Sequence, residues 1–248
     1  MRTSVSKGIA ASIRGRAAGG VPGSRGYNRP HDRTAVPLRL ESVILLHGLW
    51  LSGWVMTPLR RFIGKQGFRT SLFSYPTVRC SLDDNARRLA RFCRTRPGDT
   101  LHLVGHSLGG LVALRMLTLE PDPRPGRIVL LGSPLAGSVA ARGVMRHPFG
   151  RALIGRSLPD WRPESMPSGC EIGMVAGTAG LGIGRVFSTL ESPNDGTVAV
   201  SETRHPGLSD HCCLPVSHTS MLTSRRVADA VCRFLRDGRF APTGSPRP

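Results

Sequence analysis

Ser107 is the first residue to weigh for chemistry, because it sits in "LHLVGHSLGG" (residues 101–110) with Gly105 and Gly109 two positions away on either side. An apolar run, a tight glycine-flanked turn and a following helix together make a nucleophile elbow. Such an elbow lifts a serine oxygen clear of its strand and aims a helix N-terminus at charge developing on a substrate. Glycines at these two positions let the turn pass close to its neighbours without a side-chain clash. A serine hydroxyl stays protonated at neutral pH, so it also needs a histidine to take its proton and a carboxylate to orient that histidine.

Both partners occur downstream in the expected order. Of the histidines near the C-terminus, His218 in "LPVSHTSML" directly follows the last strand-like run and precedes the last helix, where a general base projects over the carboxyl edge of a sheet. His205 and His211 fall in the connection before that run and read as surface residues. For the acid, Asp195 lies in "SPNDGTVAV", an Asn-Asp-Gly turn in which Gly196 can take a positive φ. Glu191 and Asp210 are its rivals, and Asp210 enters from the wrong connection.

An oxyanion hole needs two fixed N–H donors. Leu108, at the start of the helix after the nucleophile, offers one. The second is expected from "LLHGLW", where Gly48 permits a sharp turn and Leu49 presents its amide, with Trp50 as the rival. Trp50 is also a candidate substrate-binding residue. With Leu49, Leu51 and Trp54 it reads equally well as acyl-pocket lining or as core. His47 is expected to brace this loop, and His106 is assigned no chemistry.

These residues need a scaffold, and from residue 42 onward strand-like and helix-like segments alternate. "SVILLHG", "FRTSLFSY", "TLHLVG", "RIVLLGS", "EIGMVAG" and, weakly, "CCLPVS" read as strands. "GWVMTPLRRFIGKQG", with Pro58 in its first turns, "SLDDNARRLARFCRTR", "GGLVALRMLTL" and "SRRVADAVCRFLRDG" read as helices. Ser81 and Asp84 have the spacing of a capping box. Alternation of this kind predicts an α/β fold, a mostly parallel sheet flanked by helices. The pattern weakens over residues 139–169, a stretch too long for an ordinary connection and read as a lid insertion.

Composition narrows the classes of function. The chain has 248 residues and a formal charge of +18, and all 34 basic residues except Lys7 and Lys65 are arginine. The arginines are scattered, without a stacking platform or a motif, so no nucleic-acid partner is expected, while peripheral contact with anionic lipid stays open. The six cysteines lack metal-ligand spacing and read as small buried hydrophobes. Residues 1–37 are basic, rich in Gly, Ser and Pro and free of hydrophobic period. They read as a disordered extension, with a transit peptide or a misplaced start codon as alternatives. Residues 38–242 are the predicted domain and 243–248 a flexible tail. Neither an export signal nor a disulfide pattern is visible, so the expected location is cytoplasmic, and oligomeric state is left open.

Taken in order, "LLHGLW", "VGHSLGG", "LGSPLAGS", "NDGTV" and "VSHTSML" resemble the α/β-hydrolase superfamily over roughly residues 42–240. The resemblance is to its lipase and esterase branch, which includes bacterial triacylglycerol lipases and GPI-inositol-deacylase-like proteins. It implies hydrolysis of a small-molecule acyl ester through an acyl-enzyme, without cofactor or metal. Ser107 would be the nucleophile, His218 the base, Asp195 its orienting acid, and the amides of Leu49 and Leu108 the oxyanion donors. Two departures stand out. No antiparallel strands precede the oxyanion loop, implying a reduced core. The lid segment carries Arg142, Arg146, Arg151 and Arg156 in place of the broad apolar face of a lid that docks on fat, which favours an esterase of short or medium acyl chains. Acyl transfer or thioester hydrolysis on the same triad, and a non-catalytic binding role, are the alternatives. The last would show a missing triad member, and none is missing.

Overall fold

In the computed structural model, β1 (Glu41–Leu46), β2 (Arg69–Phe73), β3 (Thr100–His106), β4 (Pro125–Leu131), β5 (Ile172–Gly177) and β6 (Asp210–Leu214) form one six-stranded sheet in the order β2-β1-β3-β4-β5-β6. Every pairing between these strands is parallel. The structure describes residues 40–162, 166, 167, 169–180 and 190–241. The N-terminal extension and the C-terminal tail expected from the sequence lie outside the described residues.

Burial on both faces explains why the strands read as nearly unbroken apolar runs. In β1, Ile44 and Leu46 point into one core layer with α2 (Leu82–Arg94) and α3 (Leu108–Leu119). Val43 and Leu45 point into the other, with α1 (Thr57–Lys65) and the C-terminal helix α6 (Arg225–Asp237). Helix α2 begins with the capping box read from Ser81 and Asp84, both reciprocal bonds being formed. The expected first helix instead divides into a 3₁₀ turn (Gly53–Met56) and α1, with Pro58 in the first turn of α1, where its missing N–H costs nothing.

The last strand begins earlier than its apolar residues suggest. Asp210 heads β6, and its carboxylate accepts hydrogen bonds from the amides of His211 (2.9 Å) and Phe240 (2.7 Å), so it fastens the strand to the chain beyond α6. Because all six strands run parallel, the loops after β1, β3, β4, β5 and β6 gather at one edge. The helices α4 (Val139–Met145) and α5 (Gly150–Ile154) occupy the segment expected to be a lid.

The six cysteines are free thiols. Burial pushes Cys93 and Cys212 up to about 12 and Cys232 to about 11, as suits inert apolar side chains.

Candidate active site

Strand β3 ends at His106, and Ser107 follows at φ 54°, ψ −121°. Only Ser107 and Trp50 among the described non-glycine residues have positive φ. Backbone strain of this kind costs on the order of 1–3 kcal/mol and persists only where surrounding structure enforces it. Here the Ser107 N–H donates to the Leu131 carbonyl (2.8 Å), and the Ser107 carbonyl accepts from Ser133 Oγ (2.7 Å) and the Gly110 amide (3.1 Å). A Cβ at Gly105 would lie 2.5 Å from Gly110 backbone, and one at Gly109 2.6 Å from the His47 carbonyl. The elbow glycines therefore serve close backbone approach to the helix and to the loop after β1.

His218 follows β6, and its Nδ1 lies 2.7 Å from Asp195 Oδ2, with His218 only 8% and Asp195 1% exposed. The other carboxylate oxygen accepts from the amides of Thr197 (2.9 Å) and Val198 (2.7 Å). The His218 amide donates to the Asp195 carbonyl (2.9 Å), clipping the two loops together. Gly196 takes φ 90°, as the Asn-Asp-Gly turn requires. With Nδ1–H directed at a carboxylate, the Nε2 lone pair of His218 is left for a substrate-side proton.

Around "LLHGLW" the structure corrects one detail. Gly48 is not the strained residue of the loop; Trp50 is, at φ 60°. Gly48 is needed for space, since a Cβ there would stand 3.1 Å from both His106 Nδ1 and Ser107 Cβ. The Trp50 amide donates to Thr77 Oγ1 (3.2 Å) and is occupied, whereas the amides of Leu49 and Leu108 have no acceptor among the described residues. His47 braces the loop as expected: Nδ1 donates to the Gly48 carbonyl (3.0 Å), Nε2 accepts from the Tyr75 amide (3.3 Å), and Tyr75 Oη donates to the His47 carbonyl (2.7 Å).

His106, which sequence reasoning left without a role, packs its ring 4.6 Å from that of His218. Its Nε2 is 2.9 Å from the His218 carbonyl. A carbonyl only accepts, so Nε2 carries the proton, and the buried Nδ1 is bare and without a partner. Burial, reinforced by the neighbouring His218, pushes its pKa down to about 3, which keeps the ring neutral. The available signal was its place as the last residue of a strand buried on both faces.

The decisive comparison is with protein families: a model described as "Alpha/beta hydrolase family" matches residues 43–235. The chain belongs to that family. Among solved structures, this hydrolase-family chain is similar to the mature form of Bacillus licheniformis lipase BlEst2, with TM-score 0.61 and 18% identity over 75% of this chain and 88% of that one. It is also similar to the metagenomic carboxyl esterase MGS0156 (TM-score 0.60, 19% identity, 79% of this chain and 69% of that) and to the pyrethroid hydrolase PytH (TM-score 0.55, 15% identity, 79% and 97%). At these identities the likeness is one of fold. A search of curated proteins found no match.

In this hydrolase-family chain, Ser107 and His218 face a cavity of about 350 Å³. Gly48, Leu49, Trp50 and Leu51 form one wall. Ala141 and Val144 of α4, Ile154 of α5 and Leu158 form a roof. Among the described residues no Lys, Arg, Asp or Glu side chain lines it. Trp54 does not line the cavity and is not core. Among the described residues no cluster of three or more His, Cys, Asp or Glu could hold a metal.

The roof is tied down by polar side chains whose partners are distant in sequence. Glu202 Oε1 accepts from the Val139 amide (2.6 Å) and Oε2 from the Ala199 amide (2.7 Å), joining the start of α4 to the loop that carries Asp195. Burial raises the Glu202 pKa. Asn85 of α2 donates to Ser157 Oγ (2.9 Å), and Trp161 Nε1 donates to the Leu135 carbonyl (2.8 Å).

Proposed function

We propose that this chain is a serine hydrolase that cleaves uncharged carboxylic esters through an acyl-enzyme. The observation that carries the reading is the buried His218–Asp195 pair (2.7 Å) facing the same cavity as a strained Ser107. Ser107 Oγ adds to the ester carbonyl carbon while its proton passes to His218 Nε2. The oxyanion takes hydrogen bonds from the Leu49 and Leu108 amides, which have no competing acceptor. Collapse of the tetrahedral species breaks the carbon–oxygen bond to the alcohol, which leaves with the proton from His218. Water then repeats the sequence on the acyl-enzyme and frees the acid. Asp195 holds the His218 ring and stabilises the transient imidazolium. The apolar cavity suits an acyl chain, and the lipase, esterase and pyrethroid-hydrolase names of the structural neighbours are in keeping with an ester substrate.

The test combines a fluorophosphonate probe with turnover of p-nitrophenyl esters of graded chain length beside acyl-CoA. Wild type is expected to be labelled and to hydrolyse the esters, and Ser107→Ala to lose both. Turnover of the thioester alone would replace ester hydrolysis with thioester chemistry on the same triad. No labelling of folded protein would favour a binding role.

A further inference from the structure

Four large apolar side chains are more than half exposed among the described residues: Trp50 (55%), Trp54 (79%), Phe149 (78%) and Leu153 (54%). They are not scattered. All four belong to two segments, 50–54 and 149–153, and the segments touch, because Trp50 Nε1 donates to the Leu153 carbonyl (2.7 Å) across 103 residues of sequence. Phe149 and Leu153 are neighbours one helical turn apart, the Leu153 amide donating to the Phe149 carbonyl (3.2 Å). Trp50 and Ile154, the residue after Leu153, line the cavity. The joined segments therefore meet the cavity at Trp50 and Ile154. Clustering of this kind marks an interaction site, whereas single exposed apolar residues need no explanation.

Charge identifies the partner. Residues 138–159 contain no Asp or Glu but carry Arg142, Arg146, Arg151 and Arg156, all exposed. Arg142 and Arg156 lie close enough to Glu202 and Asp84 to stabilise those carboxylates, but Arg146 and Arg151 form no salt bridge with a described residue, unlike Arg94, Arg115, Arg124 and Arg127 on the rest of the surface. Unpaired arginine beside exposed tryptophan and phenylalanine matches the headgroup layer of an anionic bilayer, where aromatic rings enter the interface and guanidinium groups meet phosphates. A second copy is a poor occupant, because two such rims on chains of +18 would repel.

We propose that this rim docks on the surface of an anionic lipid bilayer, with Trp54 and Phe149 in the headgroup layer and Arg146 and Arg151 against phosphates, so that the cavity mouth faces the membrane. The sequence left contact with anionic lipid open but showed no broad apolar face in the lid segment, because the exposed apolar residues are divided between two segments 103 residues apart.

Cosedimentation of the full chain with phosphatidylcholine vesicles, and with vesicles of phosphatidylcholine mixed with phosphatidylglycerol, tests the proposal. Wild type is expected to bind the mixed vesicles with a blue-shifted tryptophan emission. The double variant Trp54→Ser/Phe149→Ser, unchanged in formal charge, should bind them at least about tenfold more weakly while keeping its circular dichroism and its turnover of a soluble ester. Arg146→Gln/Arg151→Gln should lose the preference for the anionic lipid. Ser107→Ala should bind like wild type, which separates this surface from the hydrolase reading. Equal binding by wild type and the Trp54/Phe149 variant would reduce the effect to bulk charge and overturn the proposal. So would absence of binding by wild type, or a wild-type dimer in light scattering that the variant abolishes.

Discussion

The floor and the roof of the cavity meet opposite requirements with different materials. On the floor, Ser107, Asp195 and His218 hang from the carboxyl ends of parallel strands or the loops after them, and the carboxylate oxygens of Asp195 are both engaged. On the roof, α4 and α5 are short helices that present Ala141, Val144 and Ile154 inward and arginines outward. Bond making at a carbonyl tolerates little misplacement, so the floor is fixed by a dense hydrogen-bond network. The proposed acyl chain would ask only for apolar volume and the proposed bilayer only for a suitable surface, and the roof is built from small residues fastened at a few points.

Substitutions on the two sides should separate accordingly. The largest effect is expected on the floor at Asp195→Asn, which would present an amide to His218 and favour the wrong ring tautomer. Loss of roughly 10³–10⁴ in kcat, with ester KM little changed, is the expected outcome in steady-state kinetics. Retention of more than a tenth of the activity would move the orienting acid elsewhere.

The floor should also be the acid-sensitive side. Burial holds His106 down to about 3 and His102 to about 4, and it lowers His47 and His211. An unfolded histidine takes up its proton near pH 6.5, so below that pH the unfolded chain binds more protons than the folded one. The stability these rings provide is complete above pH 6.5 and falls as pH drops toward the folded values, at up to about 1.4 kcal/mol per pH unit for each ring. Urea unfolding at pH 7 and pH 5 should show the loss, and His106→Phe should flatten it. A midpoint that does not move between the two pH values would contradict the neutral-ring assignment.

At the junction of the two sides, Glu202→Ala would leave the Val139 and Ala199 amides without their acceptors. A destabilisation of about 1–3 kcal/mol in urea unfolding is expected, smaller than the floor effects because α4 keeps its Ser138 cap. The smallest effect belongs to the roof interior. Ile154→Trp should shorten the longest p-nitrophenyl ester accepted while leaving the acetyl ester within about threefold of wild type, since only cavity volume changes. Equal loss across all chain lengths would show that the roof positions the reacting carbon as well.

Much of the floor is legible in the sequence because its signals are local. The glycines flanking Ser107, the Asn-Asp-Gly turn at Asp195 and the apolar runs of the strands each specify backbone within a few residues, and Ser81 and Asp84 cap α2 through the box their spacing predicts. The short helices α4 and α5 left no readable trace, because seven and five residues are too few for an apolar period to appear. His106 occupies a variable position of the elbow, and no local signal marks Glu202. Their partners, the His218 carbonyl and the Val139 amide, are 112 and 63 residues away.

What the sequence by itself determined was the six strands, the longer helices and the order in which Ser107, Asp195 and His218 appear, because conformational preference and hydrophobic period act between near neighbours. Only the tertiary structure decided that Thr77 takes the Trp50 amide and leaves that of Leu49 free, that a neutral His106 lies against the His218 ring, and that two modest apolar segments join into one rim. Those outcomes depend on which distant groups come within hydrogen-bonding or packing range once the sheet has formed, and that distance is not encoded in any short stretch of residues.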